Sequence, residues 1–137
     1  MQTRNIKYIV IHCSATRAGH WFEAKDIDQW HKKRGYQQIG YHYVILLDGT
    51  IQDGRPESMT GAHVKGYNQC SIGICYIGGL DEKGVPTDTR TIAQKNALRD
   101  LLIKLRATYP HARICGHRDF AKKECPCFNA VTEYEDI

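Results

Sequence analysis

At 137 residues the chain has the length of one domain, long enough to bury about two-thirds of its unfolded surface without a disulfide or a metal. Hydrophobic residues at 42% and charged residues at 25% exclude a disordered or collagen-like chain. Nineteen basic against fifteen acidic side chains leave a net charge of +4, a mild bias toward anionic partners and far short of a nucleic-acid-binding stripe.

Arg4 and Lys7 precede an apolar run, Tyr8-Ile9-Val10-Ile11, that stops at His12, short of the roughly 7–15 apolar residues of a signal-peptide core. No apolar stretch approaches the ~20 residues that span a bilayer. The expectation is a chain made in the cytoplasm without a signal peptide and without membrane insertion, its cysteines held as thiols or ligands. Ile6 to His12 is β-branched and short enough to be a buried strand. Ala24 to Arg34 reads as a helix with Ile27, Trp30 and His31 on one side, and Gly35 is placed to end it. Tyr41 to Leu47 is the next strand, and Asp48-Gly49 ahead of Thr50 and Ile51 is a hairpin signature. Ser71 to Ile77 is a further strand, stopped by Gly78-Gly79. Thr91 with Gln94 three residues later forms a capping box. Behind it Leu98, Leu101, Leu102, Leu105 and Tyr109 make one apolar stripe of a helix that Pro110 closes. Arg113 to Gly116 is a last short strand, followed by an irregular tail from Arg118 to Ile137. The order β–α–β–β–β–α–β predicts one α/β domain over residues 1–137, a central mixed sheet flanked by helices.

Seven histidines and six cysteines raise the question of a metal. His12 stands where the first strand ends, and His117 holds the equivalent place after the last. If those strands are neighbours, the two imidazoles approach each other and the following loop can deliver Cys125. Two imidazoles and a thiolate suit zinc, and three protein ligands leave a fourth position for water. A lone histidine at a strand end is more often a hydrogen-bonded residue than a ligand. Cys115-x-His117 and Cys125-x-Cys127 also lack the paired spacing of a structural zinc knuckle. On residue chemistry alone, both readings stand.

The run Ile9-Val10-Ile11-His12-Cys13-Ser14-Ala15-Thr16 resembles the first strand of the zinc-dependent N-acetylmuramoyl-L-alanine amidases, the family of amidase-type phage lysozymes and peptidoglycan recognition proteins. So do Gln29-Trp30-His31-Lys32, Gly40-Tyr41-His42-Tyr43, Asp48-Gly49-Thr50, His63-Val64-Lys65-Gly66-Tyr67-Asn68, Ser71-Ile72-Gly73-Ile74-Cys75, Ile77-Gly78-Gly79, Gly116-His117 and Lys123-Glu124-Cys125-Pro126. The blocks are collinear from about Ile6 to Phe128. Several are polar motifs that core packing does not dictate.

The resemblance implies a mixed sheet with a zinc-bearing groove and one zinc per chain held by His12, His117 and Cys125. It implies Tyr41 and Lys123 as catalytic side chains, and His63 and His42 as groove residues at the substrate. The implied reaction cuts the amide between N-acetylmuramic acid and L-alanine of the peptidoglycan stem peptide, in the manner of an endolysin acting on the cell wall after release. Asp119 is open between orienting His117 and serving a simple turn. Cys127, where phage members carry a small hydroxyl residue, is a bystander or a rival ligand. Peptidoglycan is the implied partner of a monomeric protein that binds no nucleic acid. Competing readings are a non-catalytic peptidoglycan-binding module, a cysteine hydrolase built on Cys125, and a regulator that binds a polymerase. Phage members that bind a polymerase use a longer amino-terminal segment than the five residues found here before Ile6.

Overall fold

The computed structural model describes residues 4–137. In chain order its strands are β1 (Tyr8–Cys13), β2 (Thr16–Arg17), β3 (Tyr43–Ile45), β4 (Ile51–Asp53), β5 (Ser71–Tyr76), β6 (Gly79–Leu80) and β7 (Arg113–Gly116). Its α-helices are α1 (Ala24–Lys33), α2 (Ile92–Thr108) and α3 (Ala130–Glu133). Five strands form one sheet in the order β4-β3-β5-β1-β7. Only the β3–β4 hairpin is antiparallel; β3 with β5, β5 with β1 and β1 with β7 run parallel. This is the mixed α/β sheet that the element order predicts. Among the described residues no helix is long and apolar enough to cross a membrane.

The pleat of β1 decides where each layer goes, because successive side chains point to opposite faces. Ile9, Ile11 and Cys13 enter the larger core with Leu98, Leu101, Leu102 and Leu105, the predicted stripe of α2. Val10 falls on the opposite face against Val64 and Cys115, and the alternation puts His12 on that face too. There α1 covers only the β3–β5 half, packing Ile27 against Val44, Leu46, Cys75 and Ile77. The other half, over β1 and β7, is left for a groove.

The predicted caps hold these layers in place. Gln94 N–H donates to Thr91 Oγ1 at 3.0 Å and Thr91 N–H donates to Gln94 Oε1 at 2.9 Å. The same Gln94 is fully buried, and its Nε2 donates to the carbonyls of Ile45 and Ile77. The cap of α2 thereby ties the helix to the ends of two strands. Gly49 adopts a φ of +88° in the β3–β4 turn, and a Cβ there would stand 2.9 Å from the Ala93 carbonyl oxygen.

Three features depart from the sequence reading. The strand read over Tyr41 to Leu47 is confined to Tyr43–Ile45, which leaves Tyr41 ahead of it. The short β2–β6 pairing was not foreseen, since two residues carry no periodicity. The tail expected to be irregular contains α3, capped by Thr132 N–H donating to Asn129 Oδ1 at 3.2 Å. Arg90 fastens this tail. Its guanidinium, fully removed from solvent, pairs with Asp88 and Glu133, donates to Tyr134 Oη and lies 3.5 Å from the Phe128 ring centroid.

Candidate metal centre and groove

Parallel pairing of β1 with β7 sets Ile11 beside Gly116, so His12 and His117 leave the sheet side by side with ring centroids 4.6 Å apart. The loop after His117 returns at once: Arg118 N–H donates to the Cys125 carbonyl at 2.7 Å, and Cys13 N–H donates to Cys125 Sγ at 3.1 Å. One donor atom each from His12, His117 and Cys125 lie within 4.8 Å of one another. Cys127 is excluded from this cluster. Its Sγ contacts the Gly79 carbonyl at 3.2 Å and Cys13 Sγ at 3.9 Å.

The donor set fits a borderline-soft cation on chemical grounds. Burial, reinforced by His63 and His117, holds the His12 imidazole well below its usual pKa. Burial and then the charge of Lys123 lower His117 as well. Both rings are therefore neutral at pH 7 and offer lone pairs, the state that metal ligation requires. The backbone N–H of Cys13 aimed at Cys125 Sγ holds the sulfur at the cluster.

Behind the triad runs a buried relay. His12 Nε2 lies 2.8 Å from His63 Nδ1, and His63 Nε2 lies 3.2 Å from Ser71 Oγ. With His12 Nε2–H donating to His63 and His63 Nε2–H donating to Ser71, both His63 nitrogens are satisfied and His12 Nδ1 keeps a free lone pair. Asn68 Oδ1 fixes the segment by accepting from the backbone N–H groups of His63 and Val64, each at 2.8 Å. His63 thus lines the groove but spends its ring on His12, a role that sequence spacing does not reveal.

His42, expected at the substrate, stands behind His63 with ring centroids 5.8 Å apart and is absent from the groove lining. Gly73 N–H donates to His42 Nδ1 at 3.0 Å, which leaves Nε2–H to donate to the Met59 carbonyl at 2.8 Å. Burial, aided by the Arg4 charge, pushes His42 down to about 4, and burial pushes His63 down to about 3. In the unfolded chain both imidazoles take up a proton near the ordinary value of ~6.5. The unfolded state therefore binds more protons between pH 6.5 and the folded values, and stability falls as pH drops through that window. For His42 the loss at pH 5 is about 2 kcal/mol. Urea unfolding of the metal-free protein gives a lower midpoint at pH 5 than at pH 7; equal midpoints would contradict the neutral, locked imidazoles.

Tyr41 precedes β3 and borders both walls of the site, its ring 5.0 Å from His12, 5.4 Å from His31 and 6.4 Å from His63. Its carbonyl accepts from Arg55 N–H at 2.9 Å, and a Cβ on Gly54 would collide with that same oxygen. Burial raises the phenol well above its ordinary pKa, so Tyr41 enters neutral pH as an O–H donor and not as a base. Lys123, two residues before Cys125, lines the groove from the loop and forms no ion pair among the described residues. Asp119 serves the turn: Gly116 N–H donates to its Oδ2 at 2.7 Å, which shapes the backbone presenting His117. His31, read in sequence as part of a helix face and of a motif, lines the groove with Nδ1 accepting from Gly40 N–H at 2.9 Å.

The groove holds about 960 Å³. One wall is α1 with Trp30, His31 and Arg34; the other is built by residues 62–68 and the loop of residues 117–125. Arg34, Lys65 and Lys123 bring positive charge into it, and no aspartate or glutamate lines it.

A family model described as N-acetylmuramoyl-L-alanine amidase matches residues 2–128. The endolysin of Klebsiella phage KP32 is 46% identical over 127 residues, covering 93% of this chain and 84% of that protein. The endolysin of Escherichia phage T7 is 43% identical over 134 residues, covering 98% and 89%. Among solved structures, the endolysin amidase LysCS of Clostridium intestinale superposes with a TM-score of 0.81 at 34% identity, covering 96% of this chain and 81% of that one. With a matched stretch that contains the His12, His117 and Cys125 cluster, the chain belongs to the N-acetylmuramoyl-L-alanine amidase family.

Proposed function

We propose that this amidase cuts the amide between the lactyl group of N-acetylmuramic acid and L-alanine of the stem peptide, using one zinc ion held by His12, His117 and Cys125. The observation that carries the assignment is the convergence of two imidazoles and the Cys125 sulfur, beside a groove free of carboxylates. When bound, zinc supplies Lewis acidity that polarises a carbonyl and brings the pKa of water toward ~7. The chain's own groups complete the site. Lys123 presents an ammonium where negative charge develops on the carbonyl oxygen. Tyr41, kept protonated by burial, donates a hydrogen bond from the opposite side and can pass a proton toward the leaving nitrogen. His63 holds the His12 ring in one orientation by occupying Nε2, the usual office of a group behind a ligand.

The groove would serve a non-catalytic binding module equally well. The triad, Tyr41 and Lys123 favour the enzyme, since pure binding needs none of them. Purified peptidoglycan incubated with the protein releases new amino termini and no new reducing sugars. A strong chelator stops the release and added zinc restores it. Amine release that survives complete metal removal would point instead to a cysteine hydrolase. No release under any condition would leave the binding module.

A further inference from the structure

We propose that Cys13 and Cys127 are a redox pair: oxidation joins their sulfurs in a disulfide that clamps the loop carrying Cys125 onto the end of β1. The pairing stands on geometry, and its effect on metal rests on the zinc site proposed above. Both cysteines are free thiols, and Cys13 Sγ lies 3.9 Å from Cys127 Sγ across 114 positions of chain. A disulfide sets the sulfurs ~2.05 Å apart, a closure of roughly 2 Å that lies within the reach of side-chain rotation. Gly79 keeps the space around them open, since a Cβ there would stand 2.5 Å from Cys13 Sγ and 3.7 Å from Cys127 Sγ. The backbone holds Cys127 for this encounter. Its φ is +72°, its N–H donates to the Glu124 carbonyl at 2.6 Å, and Tyr76 Oη donates to the neighbouring Pro126 carbonyl at 2.6 Å. A residue with a side chain adopts such a φ only where its surroundings impose it; here the result is a thiol facing β1.

Cys125 is the rival sulfur. It accepts the Cys13 N–H but belongs to the metal cluster, so ligation withdraws it from thiol chemistry and leaves Cys13 to Cys127. The oxidant is a low-molecular-weight disulfide. Cys127 is half-buried where Cys13 is buried, so it is the sulfur reached first. The Cys127 sulfur attacks one sulfur of the oxidant, giving a mixed disulfide and one small thiol, which takes up the Cys127 proton. The Cys13 sulfur then attacks Cys127 Sγ and expels the second small thiol, which takes up the Cys13 proton. Two electrons pass from the pair to the oxidant. Burial pushes Cys127 up to about 12, and contact with Cys125 together with burial raises Cys13, so the exchange is slow. The peptidoglycan that the chain is proposed to cut lies outside the reducing cytoplasm, where disulfides persist. The bond ties the residue after His12 to the residue two beyond Cys125, so the strand and the loop that supply these ligands cannot part.

The test uses the full zinc-loaded chain, held overnight in excess oxidised glutathione or in a phosphine reductant. Under the oxidant two of the six thiols disappear, and fragmentation mass spectrometry places the bond between Cys13 and Cys127. The oxidised protein unfolds at about 1–2 M more urea than the reduced protein, the gain expected from closing so long a loop. A chelator strips its zinc about tenfold more slowly, since release requires the loop to open. Cys127→Ser loses no thiol under the oxidant and shows neither change. Six thiols surviving in the wild type, or a bond mapped to Cys125, overturns the proposal. A Cys13–Cys127 bond that moves neither the urea midpoint nor zinc release overturns the clamp. A chain that takes up no zinc, yet forms this bond and gains the midpoint, upholds the pair and overturns the metal reading.

Discussion

Cys125→Ser yields a folded protein that no longer retains zinc and hydrolyses peptidoglycan about 10³-fold more slowly. A serine hydroxyl does not ionise at neutral pH, so the site loses its only anionic ligand and its soft donor together. Lewis-acid stabilisation is worth several kcal/mol, and each ~1.4 kcal/mol is tenfold in rate. The fold survives because the loop is closed through the backbone, by Arg118 N–H on the Cys125 carbonyl, and because Arg90 anchors the tail beyond it. Cys127→Ser is the matched comparison. Its thiol contacts Gly79 and Cys13 and stays outside the triad, so metal content and turnover remain close to wild type. Metal analysis of the two purified variants, with circular dichroism for folding, decides the assignment. Zinc retained in Cys125→Ser and lost in Cys127→Ser would reverse it.

Lys123→Ala and Tyr41→Phe each keep the metal and lose turnover, by about 10²–10³ in kcat, the usual cost of deleting one donor that meets developing charge. Lys123 is exposed and Tyr41→Phe preserves the half-buried ring, so neither change opens a cavity in the core. The two losses differ in character. Lys123→Arg restores part of the rate, since a guanidinium still presents positive charge. No single substitution replaces the Tyr41 hydroxyl on its rigid ring. Equilibrium binding of zinc, measured with a chromophoric competitor, is unchanged in all three variants. A variant that turns over at the wild-type rate removes its residue from the catalytic set, and one that sheds zinc marks a structural role instead.

Much of the fold was legible in the chain because the signals that set it are local. The apolar run at Ile9–Ile11, the leucine stripe of α2, the Thr91–Gln94 box and the Asp48-Gly49 turn each act over a few residues and formed where they were read, and the strand read over Ser71 to Ile77 formed one residue shorter. The pieces without periodicity, the β2–β6 pairing and α3, escaped because two to four residues carry too little pattern. The site was legible as a set of candidates. Motif order singled out seven residues: His117, Cys125, Tyr41, Lys123 and His63 line one groove, His12 lies buried against Tyr41, and His42 stands outside the lining.

Sequence alone settled which residue types stand at the strand ends and how each element begins and stops, since dihedral preference and side-chain alternation depend on near neighbours. Tertiary structure alone decided which of them meet. The register of β1 on β7 brings His12 to His117, and a bond spanning 112 positions ties Cys125, not Cys127, to the end of β1. The same pairing of distant segments turned His63 toward His12 and hid His42 behind it. Donors and acceptors far apart in the chain acquire partners only when the sheet order fixes them in space, and that order comes from the burial of whole faces, not from any short run of residues.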